Sequence, residues 1–207
     1  REGAAPAARG SRRAGSGVSA EGMPTIGLVR SELCAAMGED YTEDSFQELC
    51  FAFGIELDEV VEEERYGEMT TVYKIEIAAN RHDLLSLEGL TRSLRIFLER
   101  MEAPVYHVDA PAEPLVMTVA PETSQIRPYV VCAVLRGVQF DPARYASFID
   151  LQEKLHQNIC RRRRYVAIGT HDLATLSPPF RYEARAPGDI SFVPLTEESG
   201  RAFTAGR

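Results

Sequence analysis

Apolar and polar positions alternate at two periods along this chain, and the period changes mark its elements. Phe46, Leu49, Cys50 and Phe53 stand at i, i+3, i+4 and i+7, which is one face of a helix. Thr42 ahead of them is a good N-cap, and Gly54 sits where a glycine at C′ ends a helix. Upstream, Met23–Leu28 reads as a short first strand. Ser31 then caps a short helix through Met37, which Gly38 stops. Over Thr71–Ile77 the period is two: Tyr73, Ile75 and Ile77 share a face, with Lys74 and Glu76 on the other. Leu87, Leu90, Leu94, Phe97, Leu98 and Met101 return to helical spacing and form a strong apolar stripe. Asp83 is placed to cap that helix, and Pro104 closes its region.

Asp109-Ala110-Pro111-Ala112-Glu113-Pro114 is a linker by composition. Beyond it, Leu115–Val119 and Tyr129–Phe140 are strand candidates, and Asp141-Pro142 starts a helix with Asp as N-cap and Pro at N1. Phe148, Leu151, Leu155 and Ile159 run down one face of that helix. Tyr165–Ile168 reads as a short buried strand broken by Gly169, and a further strand is expected over Phe180–Ala184. The fold class is therefore α+β, with two small lobes over residues 23–108 and 115–207 joined by the 109–114 linker. Two helices with a tight link, followed by strands, suggest a winged-helix-like first lobe, although many folds share that pattern. Residues 1–22 hold Ala, Gly, Ser and Arg with hardly a large apolar side chain, so they are expected to be a disordered extension or a cloning remnant.

Charge narrows the possible functions. The formal net charge of the 207-residue chain is −8, a poor basis for general nucleic-acid binding. RNA contact would need a local basic patch or a partner subunit. Glu62, Glu63 and Glu64 read as a solvated acidic loop, since adjacent loop residues rarely converge on one ion. Cys34, Cys50, Cys132 and Cys160 form no CxxC pair and are expected as buried free thiols in a reducing, cytoplasmic setting. No run of apolar residues is long enough for a membrane span. HExxH, GxGxxG, P-loop and GxSxG patterns are all missing from the sequence, so no metal or cofactor is expected in this chain.

Two local groups carry candidate chemistry. Gly169, Thr170, His171 and Asp172 follow a predicted strand and offer backbone N–H groups, a hydroxyl, an imidazole and a carboxylate in one loop. The alternative is a plain turn in which Asp172 caps the backbone. Arg161, Arg162, Arg163 and Arg164 follow the long helix. They either complement its dipole as a solvated end or meet RNA phosphate or a partner's acidic surface.

Asn80-Arg81-His82-Asp83-Leu84-Leu85-Ser86-Leu87-Glu88-Gly89-Leu90 resembles a motif near the start of phenylalanyl-tRNA synthetase beta subunits of the eukaryotic and archaeal cytosolic type. Glu48–Glu59, Ile126-Arg127-Pro128, Leu151–Arg161 and Val166–Leu173 resemble the same subunits, in the same order. That resemblance implies a heterotetramer of two alpha and two beta subunits. Its partners would be the alpha subunit, tRNA(Phe) and a second alpha–beta protomer. The alpha subunit would hold ATP, magnesium and phenylalanine, so aminoacylation would lie outside this chain. Residues from about 111 onward would be the first part of a mixed α/β B3/B4 domain that hydrolyses mischarged tyrosyl-tRNA. Gly169, Thr170, His171 and Asp172 then become candidates for the editing site. Beta subunits are much longer than this chain, so the isolated polypeptide is expected to charge no tRNA and to edit little. Two other readings stay open: a noncatalytic RNA- or partner-binding module, and a fragment of a reading frame with no separate function.

Overall fold

The computed structural model describes residues 23–65, 67–194, 197 and 199–205, so the expectation for residues 1–22 lies outside it. The backbone divides into two units. One takes the chain up to Pro104 together with Phe140–Ile168, and the other takes Val105–Gln139 together with Gly169–Arg207. Among the described residues the chain mixes four α-helices with three small sheets.

In the first unit β1 (Thr25–Val29) runs into α1 (Arg30–Met37) and α2 (Glu43–Phe53). The hairpin of β2 (Glu56–Arg65) and β3 (Glu68–Glu76) follows, then α3 (Leu87–Phe97) and, later in the chain, α4 (Pro142–Gln157). The sheet order is β1-β3-β2, antiparallel throughout. Ile26 and Leu57 both face Ile75, while Leu28 and Val60 both face Tyr73, so period-two alternation sends one row of side chains to the core. A bulge between Leu57 and Glu59 keeps that row in register. Phe46 is fully buried from α2, its ring 5.2 Å from that of Tyr73 and 5.9 Å from that of Tyr41. Leu33, Leu84, Leu85, Leu90 and Leu94 close the same core, and Leu151 and Leu155 of α4 pack against it.

Helix ends show where side-chain chemistry decided and where it did not. Thr42 builds a reciprocal cap: its hydroxyl accepts from Ser45 N–H at 3.2 Å, and Ser45 Oγ accepts from Thr42 N–H at 3.0 Å. Gly38 and Gly54 end α1 and α2 with φ of 74° and 91°, the left-handed region that glycine enters freely. Ser31 does not cap α1. The chain passes straight from β1 into the helix at Arg30, whose guanidinium reaches Tyr41 O at 2.8 Å and Asp40 at 2.7 Å. Asp83 does not cap α3 either. Ser86 is the N-cap, accepting from Gly89 N–H at 3.1 Å, and Asp83 instead takes the Arg81 guanidinium through two bonds of 2.9 and 2.8 Å. That pairing holds the Asp83 carboxyl below its usual range.

Glu62, Glu63 and Glu64 are not a loop. They lie in edge strand β2 opposite Thr71, Thr70 and Met69. The β-branched partner strand imposes pairing, and an edge strand tolerates acid side chains that discourage further strands from adding. Thr71 Oγ1 donates to Glu62 at 2.7 Å and Lys74 Nζ to Glu63 at 2.5 Å; the Lys74 bond draws the Glu63 carboxyl downward.

In the second unit β4 (Met117–Val119) pairs in parallel with β5 (Phe180–Tyr182), and β6 (Ser191–Phe192) pairs antiparallel with β7 (Phe203–Thr204). Tyr129–Phe140 is not a strand: no described segment supplies it with a ladder, and Tyr129 and Val131 are over nine-tenths exposed. Cys132 is exposed as well, against the expectation of a buried thiol. Cys50 and Cys160 are buried and Cys34 is half-buried, all unpaired. Burial pushes the Cys50 thiol up to about 12, which makes it a packing residue and not a nucleophile. No helix among the described residues is long and apolar enough to cross a membrane.

Candidate functional site

Helix α4 starts as its sequence predicts. Asp141 Oδ1 accepts from Arg144 N–H at 2.8 Å, and Pro142 opens the first turn. It ends at Gln157, sooner than the apolar spacing suggested, so Ile159 leaves the packed face and is half exposed. The four arginines therefore stand beyond the helix, in the turn that follows it. Lys154 and His156 occupy that last turn instead.

Arg161, Arg162 and Arg163 adopt φ of 49°, 54° and 63°, three consecutive left-handed residues that all carry a Cβ. Each costs roughly 1–2 kcal/mol relative to the right-handed form. Backbone bonds hold the turn: Cys160 N–H reaches Leu155 O at 3.0 Å, Arg161 N–H reaches Asn158 O at 2.9 Å, and Arg164 N–H reaches Arg161 O at 3.1 Å. Buried Cys160 pins its start. Arg163 Nη2 donates to Glu153 at 2.6 Å. The Gln157 amide and then Arg163 hold the Glu153 carboxyl below its ordinary range.

His156 lies in the Leu151–Arg161 segment, where neither periodicity nor a motif gives it a role. It is 2% exposed, and its Nε2 accepts the Ile168 N–H at 2.8 Å. An accepting Nε2 leaves the ring's donor at Nδ1. Nδ1 has no hydrogen-bond partner, and the nearest carboxylate, Glu153, is 3.9 Å away. The available signal was its place eight residues after Phe148 on the helix. The bond explains why Tyr165–Ile168, expected as a buried strand, is neither strand nor buried: Ile168 spends its N–H on a side chain and not on a ladder. His156→Leu keeps the volume and removes the acceptor. It is expected to cost about 1–3 kcal/mol, read as a lower urea midpoint with faster amide exchange at Ile168.

The loop candidates are contiguous and all exposed. A Cβ built on Gly169 would lie 3.3 Å from His171 Nε2, so the imidazole folds back over the glycine. Asp172 is engaged in structure. Its Oδ1 accepts from Ala174 N–H at 3.0 Å, and its carbonyl accepts from Thr175 Oγ1 at 2.7 Å, capping the short 3₁₀ turn Leu173–Thr175. The turn reading thus describes Asp172, while Gly169 and His171 stay accessible beside it. The arginine turn and this loop fall in different units. Among the described residues no group of three or more His, Cys, Asp or Glu side chains is placed to hold a metal ion.

Comparison with known proteins places these features in context. The family model described as the Phe-tRNA synthetase beta subunit B1 domain matches residues 23–100. The cytoplasmic phenylalanine–tRNA ligase beta subunit of Arabidopsis thaliana is 59% identical over 84% of this chain and 32% of its own length. The phenylalanine–tRNA ligase beta subunit of Homo sapiens is 50% identical with the same coverage, 84% and 32%. The chain thus spans about a third of the length of these relatives. A crystallised N-terminal fragment of the phenylalanyl-tRNA synthetase beta subunit from Pyrococcus horikoshii superimposes with a TM-score of 0.77 at 30% identity, covering 88% of this chain and 51% of the fragment.

Proposed function

The chain belongs to the phenylalanyl-tRNA synthetase beta-subunit family, and from that premise we propose that it serves in a cytoplasmic ligase that charges tRNA(Phe) with phenylalanine. The observation that carries the reading is the extent of the likeness: half or more of the residues are identical across most of the chain in plant and animal relatives. The partners in this reading are an alpha subunit, tRNA(Phe) and a second alpha–beta protomer. ATP, magnesium and phenylalanine are handled by the alpha subunit, and the present chain contributes no residue to aminoacylation. Residues 23–108 act as a winged-helix-like module, and residues 115–207 belong to a B3/B4 editing domain, although their Phe140–Ile168 segment groups with the first unit.

Editing answers a physical need. Tyrosine differs from phenylalanine by one hydroxyl, and an apolar pocket rejects an added hydroxyl by only about 100-fold. A second, hydrolytic site supplies the missing discrimination. Ester hydrolysis there requires an oriented water and donors for the developing oxyanion. The backbone N–H groups near Gly169 and Thr170 contribute the donors. His171, folded over that glycine, orients the water or substrate. Asp172, already engaged as a cap, holds the loop's shape.

The test uses the beta subunit at its relatives' full length, assembled with its alpha subunit. Charging of tRNA(Phe) with phenylalanine is expected, and an assembly that charges none would refute the ligase reading. His171→Ala is expected to leave charging intact and to slow deacylation of tyrosyl-tRNA(Phe) by about 10-fold or more. An unchanged deacylation rate would remove His171 from the editing site.

A further inference from the structure

We propose that Arg161 and Arg162 form a phosphate-binding turn that contacts the backbone of the RNA substrate. This rests on the reading of the chain as part of a tRNA ligase.

Local charge sets the turn apart. Acidic residues outnumber basic ones, 31 to 23, yet four arginines stand in succession here. RNA approaching the rest of the chain meets net negative charge, so a basic spot both attracts and orients it. Arg163 is committed to Glu153 at 2.6 Å. Arg161 and Arg162 are exposed, and among the described residues no ion pair engages either side chain.

The backbone points the same way. Folding alone would favour glycine or asparagine at left-handed positions, since neither meets the full Cβ penalty. Arginine occupies all three of these positions at φ of 49°, 54° and 63°. Strain of this kind persists only where surrounding structure enforces it, and it gathers at ligand-binding segments. The enforcing contacts are present: buried Cys160, the Cys160–Leu155 and Arg161–Asn158 backbone bonds, and the Asn158 side-chain amide on Lys154 O at 3.0 Å. The result is a held turn and not a floppy basic tail. A helical turn of either hand sets successive side chains about 100° apart, so adjacent arginines spread to separate contacts. The planar guanidinium fork matches phosphate oxygens through paired bonds, which an ammonium cannot copy.

The experiment again uses the assembled ligase. An Arg161→Asn, Arg162→Asn pair removes two charges, with a residue type that accepts the left-handed backbone. Dissociation constants for tRNA(Phe) are measured by fluorescence anisotropy between about 50 and 200 mM salt. Loss of two phosphate contacts is expected to reduce the slope of log K against log salt by about 1.4–1.8. Arg161→Lys with Arg162→Lys is expected to weaken binding while keeping the slope. Should the asparagine pair lower the urea midpoint, Arg161→Gly with Arg162→Gly repeats the neutralisation on a backbone that suits glycine. An unchanged slope in the neutral variants overturns the proposal. Unchanged RNA binding with lost capture of the alpha subunit also overturns it, assigning the turn to a protein surface. The slope is read by binding, so its outcome is independent of whether the assembly charges tRNA.

Discussion

Gly89→Ala is expected to destabilise the first unit by about 3 kcal/mol or more, against the usual gain when alanine replaces glycine within a helix. Gly89 lies in the first turn of α3, where its N–H donates to the capping Ser86 hydroxyl at 3.1 Å. A Cβ there would stand 2.0 Å from Asp83 O, far inside any real contact, and 3.2 Å from Ser86 Oγ. That carbonyl cannot easily retreat. It belongs to the 3₁₀ turn His82–Leu84, and the following Leu84 and Leu85 are 0% and 1% exposed in the core. The Asp83 side chain is itself held by the two Arg81 bonds. Relief therefore means moving the turn, losing the Ser86 cap, or dragging two leucines from their packing. Urea unfolding monitored by far-UV circular dichroism reads the loss as a lower midpoint. A midpoint equal to or above that of the parent chain would show that the turn yields and that the close approach has no energetic weight.

This glycine also shows what kind of information the sequence carries. Gly89 belongs to the segment that first resembled the beta-subunit motif, but nothing in its neighbours reveals that a carbonyl six residues earlier requires it. Positions governed by one local rule were readable. The Phe46 stripe, the Thr42 and Asp141 caps and the alternation at Tyr73, Ile75 and Ile77 all follow from periodicity or a single side-chain bond. Positions governed by a contest between two local solutions were not. Asp83 and Ser86 could both cap α3, and the decision fell to Ser86 because Arg81 engages the carboxylate. Glu62–Glu64 look like a loop until β3 supplies a partner strand, whereas Tyr129–Phe140 looks like a strand and finds no partner among the described residues. The candidate loop could be located by sequence alone, since Gly169 to Asp172 are contiguous. Its internal division of labour could not, because Asp172 spends its carboxylate on Ala174 N–H. The arginine run was visible as charge. Its left-handed backbone was not, because arginine carries no preference for that region, and His156 was hidden because its partner is a backbone N–H twelve residues away.

Two phenylalanines on α2 give the second large effect its control. Phe46→Ala is expected to cost about 3–5 kcal/mol, and Phe51→Ala no more than about 0.5 kcal/mol. The chemical change is the same, and both residues sit in one helix of eleven residues. Phe46 is 0% exposed and Phe51 is 87% exposed. Removing the Phe46 ring deletes its edge-on contact with Tyr41 and its tilted contact with Tyr73, and opens a hole under the sheet. Neither tyrosine can collapse into it freely. Tyr73 donates its hydroxyl to Tyr41 O at 3.3 Å, and Tyr41 is held by Glu39 at 2.9 Å and by its own N–H on Cys34 Sγ at 3.3 Å. The cavity therefore stays open, which puts the cost toward the upper end of the usual range for a lost aromatic ring. A domain of this size has only about 5–15 kcal/mol of total stability, so Phe46→Ala should leave a large unfolded fraction near physiological temperature. The pair is measured by urea midpoints at constant slope. Equal midpoints for the two variants would mean that Phe46 is not the centre of the core that α2, β3 and the Tyr41 turn build around it.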